Sequence, residues 1–163
     1  MDFVKLFAVI ESLSLLLLCC LAASCGKPAE RLDFIYTPAH PADTFVFRYE
    51  MLLDEPQSEY SSRIACRYNA TGIKSGSIPV LVAVISPSGE RSMERLELPL
   101  ASDGKSIKVQ RSGGAVVDID WPYRERIVPG EDTGLWHVAI RPLERKMLRS
   151  IYGMGFSYQR KEN

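Results

Sequence analysis

The segment Ile78-Pro79-Val80-Leu81-Val82-Ala83-Val84-Ile85 constrains the fold more than any other. It is continuously apolar, rich in β-branched residues and too short for a typical helix. It therefore reads as a central strand covered on both faces. Period-2 alternation surrounds it. Phe45, Phe47 and Tyr49 alternate with Val46 and Arg48, and Ile64 and Cys66 share a parity within residues 60–68. Leu96, Leu98 and Leu100 mark one face of a following strand, and Val117, Ile119 and Trp121 alternate with Val116, Asp118 and Asp120. Trp136, Val138 and Ile140 do the same in residues 134–141, and residues 153–158 close the series. Turn signals separate these runs: Ser86-Pro87-Ser88-Gly89, Ser102-Asp103-Gly104-Lys105, Ser112-Gly113-Gly114 and Pro129-Gly130. One helical window follows Pro142, with Leu143, Met147, Leu148 and Ile151 near one face. About eight short strands with turns every ~8–12 residues predict an all-β, antiparallel β-sandwich of jelly-roll or immunoglobulin-like type, with one short helix near the C-terminus.

Length and composition agree with one such domain. The chain has 163 residues, 46% hydrophobic and 25% charged, which is neither disordered, collagen-like nor disulfide-dense. Lys+Arg and Asp+Glu are 20 each, so no bulk charge steers the protein toward nucleic acid.

The beginning of the chain reads as an address. The apolar run 13–23 is about half the ~20 residues a helix needs to span a bilayer, and Glu11 blocks its extension backward. Lys5 supplies a positive end, so residues 1–24 read as a secretory signal. Leu21-Ala22-Ala23-Ser24-Cys25-Gly26 resembles the lipobox of bacterial lipoproteins. That resemblance implies cleavage between Ser24 and Cys25, acylation of Cys25 and attachment to a membrane through the lipid. A plain signal peptide cut near Ala23 and a permanent membrane helix are the alternatives. Residues 25–42 then form the lipidated N-terminus and tether, and residues 43–163 the sandwich. Of four cysteines, Cys19 and Cys20 leave with the signal and Cys25 carries lipid. Cys66 remains, a small apolar core residue without a disulfide partner.

Candidate chemistry is sparse. His40 lies in a Pro-rich connection and His137 faces outward from a strand; two distant histidines lack zinc-ligand spacing. Asp118 and Asp120 share a strand face, with Glu125 beyond, but lack the ordered spacing of a calcium loop. No phosphate loop and no nucleophile elbow is present. No catalytic residue, metal ligand or cofactor is expected. Arg141, Arg145, Lys146 and Arg149 form a basic cluster, suited to lipid headgroups or simply an exposed helix face. Trp121 and Tyr123, at a strand end, read either as core or as an aromatic contact for a ligand or partner. Trp136 reads as core.

Several segments, in order, resemble the gliding-motility lipoprotein H family of Gram-negative bacteria. They are Asp43-Thr44-Phe45-Val46-Phe47, Ser86-Pro87-Ser88-Gly89-Glu90, the run from Leu98 to Lys105, the run from Gly134 to Arg141, and Ile151-Tyr152-Gly153-Met154-Gly155-Phe156. The resemblance implies a non-enzymatic envelope lipoprotein that supports gliding and type IX secretion machinery through contacts with envelope proteins. Its place would be the outer membrane, facing the periplasm. A glycan-binding lipoprotein of an outer-membrane nutrient-uptake system is the alternative.

Overall fold

In the computed structural model, residues 31–161 are described; the leader, Ser24 and Cys25 lie outside them. Nine strands run in the order β1 (Arg31–Tyr36), β2 (Phe47–Leu53), β3 (Tyr60–Asn69), β4 (Ser77–Ile85), β5 (Arg91–Pro99), β6 (Lys108–Arg111), β7 (Val116–Ile127), β8 (Gly134–Pro142) and β9 (Ile151–Arg160). One helical turn, α1 (Arg145–Leu148), precedes β9.

The strands form two antiparallel sheets, ordered β1-β9-β3-β7-β6 and β2-β8-β4-β5. With β6 set aside as an addition at one edge, the chain crosses between two four-stranded sheets at every step except the β4–β5 hairpin, as a jelly roll does. This is the expected all-β sandwich, with its short helix near the C-terminus. The segment read as tether differs: residues 31–36 are an edge strand, paired from Arg31 with Tyr158 to Tyr36 with Gly153.

Period-2 side chains from both sheets build the core. Ile64, Cys66 and Tyr68 of β3, Val117, Ile119 and Trp121 of β7, and Met154 and Phe156 of β9 point inward from one sheet. Phe47, Tyr49 and Met51 of β2, Val80 and Val82 of β4, and Val138 and Ile140 of β8 answer from the other. Tyr49 stacks on Phe156 and donates its hydroxyl to the Met154 carbonyl at 2.7 Å. Burial pushes the Tyr49 phenol well above its ordinary range. The Tyr158 hydroxyl accepts the Leu52 N–H at 3.0 Å. Both bonds stitch the sheets along one side.

Two expectations need correction. β4 is central in its sheet but is fully covered on one face only. On its outer face Leu81, Ala83 and Ile85 are half-buried among long cross-strand neighbours, with Leu81 between Arg95 and Arg141 and Ile85 between Arg91 and His137. Trp121-Pro122-Tyr123 is not a strand end, because β7 continues to Ile127. Pro122 is tolerated because β6 pairs with residues 117–120 only, so no strand lies on that side of it, and because on the other side it faces Arg63 beside an irregularity in the β3–β7 register.

β9 resolves a packing conflict with glycine. A Cβ on Gly153 would lie 2.5 Å from Phe34 Cε1 and 2.7 Å from the Ile35 carbonyl oxygen; one on Gly155 would lie 2.9 Å from Phe34 Cδ2. The Phe34 ring occupies the space that side chains would fill. Gly153→Ala should therefore cost about 2 kcal/mol, the usual scale for overpacking. Gly76→Ala, where nothing lies within 4 Å, should not destabilise. Urea unfolding of the two variants makes the comparison, and equal midpoints would refute this account of β1 docking.

Candidate functional site

The outer face of the five-stranded sheet carries the densest unassigned chemistry. Strand alternation puts Leu32, Phe34 and Tyr36 of β1 on this face, opposite Ser157, Gly155 and Gly153. Leu32 is 55% exposed and Tyr36 65%. Phe34 lies over the glycines and meets Tyr36 edge-on at 5.1 Å between ring centroids. Beyond Ala65 the surface turns polar. Arg67 grips Asp118 with two bonds, Nε to Oδ1 at 2.6 Å and Nη2 to Oδ2 at 3.1 Å. Arg63 Nε meets Asp120 at 2.8 Å, and its Nη2 donates to the Ser106 carbonyl at 2.8 Å. A groove of about 610 Å³ runs between these zones, lined by Leu32, Phe34, Ala65, Arg67, Gln110 and Asp118 among others.

The two aspartates do share a face, but each is taken by its own arginine. Hydrogen bonding from Arg67, more than anything else, holds the Asp118 carboxyl below its ordinary range, and Ser112 adds to it. A carboxylate held ionised in this way is unsuited to act as a general acid. Among the described residues, no group of three or more His, Cys, Asp or Glu side chains is placed to hold a metal ion. His40 sits in a loop; His137, exposed on β8, is 4.0 Å from Glu50. Burial pushes the Cys66 thiol far up, which suits a core residue and not a nucleophile.

Of the two readings of Trp121, core and aromatic contact, the structure places it in the core. Trp121 is 2% exposed and donates Nε1 to the Pro99 carbonyl at 2.7 Å, across the sandwich. Tyr123 is half-buried against Phe156, with its hydroxyl 2.7 Å from Glu94 and Arg124 over its ring. Burial, with help from Glu94, pushes that phenol up to about 12. Neither ring is free to receive a ligand. Trp136 is half-buried and bonds the Asp132 carbonyl at 3.0 Å. Aromatics that do face outward include Tyr152 and, in the segment read as tether, Phe34 and Tyr36. The signal of the latter two in the sequence is the run Leu32-Asp33-Phe34-Ile35-Tyr36, rich in strand formers and closed by Thr37-Pro38.

The Asp118–Arg67 pair sets a pH dependence. Because the folded-state pKa is lowered, the stabilisation is complete above the unfolded aspartate's ~3.9 and is lost as pH falls through the folded value. Asp118→Asn should lower the melting temperature at pH 7 and close the gap to the native chain in acid. A gap that stays constant from pH 7 down to pH 2 would contradict the pairing.

Compared with known proteins, the chain matches no protein-family model and no curated protein.

Proposed function

We propose that this chain is a lipid-anchored, non-enzymatic protein of the bacterial cell envelope. In this reading it supports gliding-motility and type IX secretion machinery through contacts with envelope proteins. Acylated Cys25 holds it on the outer membrane, facing the periplasm. The supporting observation is the exposure of Leu32 and Tyr36 beside Phe34 on one edge strand. Large apolar and aromatic side chains gathered on a rigid sheet favour a protein contact over solvent. β1 is also the first strand among the described residues, five residues beyond Gly26, which sets the contact face close to the proposed anchor. Two acyl chains give stable membrane attachment without a spanning helix.

A second reading, glycan binding, draws on the same face. The exposed ring of Tyr36 and the groove-lining Phe34 stand near Arg67 and Gln110, a pairing of flat apolar and planar polar groups that suits a sugar.

Metabolic labelling with a palmitate analogue tests the anchor. The wild-type chain should take up label and Cys25→Ala should not; an unlabelled wild type would end the lipoprotein reading. A photo-crosslinking residue at Tyr36 should give discrete protein adducts in intact envelopes. Adducts with glycan instead would favour the second reading.

A further inference from the structure

The two ends of the sandwich differ in character. At the end that carries α1, loops 37–46, 69–76, 111–116 and 143–150 hold Lys74, Arg111, Arg145, Lys146 and Arg149 against Asp43 and Glu144. Arg145 is neutralised by Asp43 at 2.5 Å. The other four cations form no ion pair among the described residues. Backbone bonds knit this end together: the Asn69 N–H donates to the Ser150 carbonyl and the Ala70 N–H to the Ala115 carbonyl, both at 2.8 Å. The Thr37 N–H donates to the Tyr152 carbonyl at 2.9 Å. Gly72 packs so close to Ser150 that no side chain would fit between them. The cations therefore stand on a fixed platform.

A groove of about 520 Å³ crosses this platform between the 37–41 turn and the start of β9. Pro38 and Pro41 bring apolar surface to it above the buried Leu148 and Ile151, while His40, Arg149 and Tyr152 bring polar groups. The Thr37 hydroxyl on its wall is buried without a hydrogen-bond partner. An exposed, unpaired guanidinium above an apolar channel matches a carboxylate carried on a polypeptide with apolar neighbours.

We propose that this groove binds an acidic segment of a partner protein, with Arg149 receiving a carboxylate and Pro38 and Pro41 packing its neighbours. The choice of a protein over an anionic lipid rests on the lipid-anchor reading. The chain enters the sandwich at Arg31, which pairs with Tyr158, whereas α1 adjoins Ile151, seven residues and ~23 Å along the same strand. An anchor on Cys25 has only residues 26–30 as tether, at most ~3.6 Å each. In a domain that stands upright on so short a tether, the basic end is turned from the membrane.

The test uses the full-length protein in neutral detergent and a fluorescein-labelled hexaglutamate peptide read by anisotropy. Hexaglutamate should bind, and Arg149→Glu should weaken it at least tenfold. Arg91→Glu, which makes the same charge change on an exposed residue at the other end, should leave binding within twofold. Unchanged melting temperatures show that both variants fold. Equal weakening by the two variants, or no binding, overturns the groove. Vesicles of phosphatidylglycerol that bind through Arg149 more tightly than hexaglutamate overturn the protein assignment. The palmitate labelling separates that failure from failure of the anchor.

Discussion

Two glycines on β9 decide how this sandwich is finished. Strand alternation sends Met154 and Phe156 into the core and turns Gly153 and Gly155 outward on the same strand. Inward, the strand needs bulk, and Phe156 supplies it against Tyr49. Outward, it needs none, because Phe34 takes the space. The alternation Gly-Met-Gly-Phe meets both demands. Without it β1 could not lie flat on β9, and the outer face would lose Leu32, Phe34 and Tyr36 together.

The remainder of the fold follows from burying two half-apolar sheets against each other. Tyr49 and Trp121 each place a ring in the core and a polar atom on a carbonyl, so their burial leaves no donor unmet. Charge is handled the same way on the outer face. Arg67 stands directly across from Asp118 in the β3–β7 register, and Arg63 reaches diagonally to Asp120, which lies opposite Ala65, so each guanidinium finds one carboxylate. The pairs leave the groove beside Phe34 bounded by groups already neutralised.

Most strands were legible because alternation and turn residues agree from β2 onward. The inward parity of Ile64, Cys66, Val117 and Ile119 could be read directly. β1 was hidden because Phe34 and Ile35 are adjacent apolar residues that break a clean alternation, and because the apolar run read as a leader precedes them so closely. Pro122 read as a stop because sequence does not show that β6 ends short of it. The outer face was illegible for a different reason. Arg67 and Asp118 lie 51 residues apart, and Arg63 and Asp120 lie 57 apart. Only the register of β3 on β7 joins them. Trp121 shows the limit from the other side: its parity points inward, but its place at an apparent strand end leaves a contact role open.

The antiparallel pairing of β1 with β9 has a mechanical consequence. Its hydrogen bonds stand perpendicular to the strand axis. A pull on the N-terminal end of β1, balanced by a load held at the α1 end, runs along that axis. Every rung from Arg31–Tyr158 to Tyr36–Gly153 is then loaded at once, in shear, and none can open before its neighbours. The same pull directed sideways would peel the rungs one at a time. An attachment at the N-terminal end of β1 therefore gives the domain, in the lipid-anchor reading, a strong direction and a weak one, with the strong direction running the length of the sandwich.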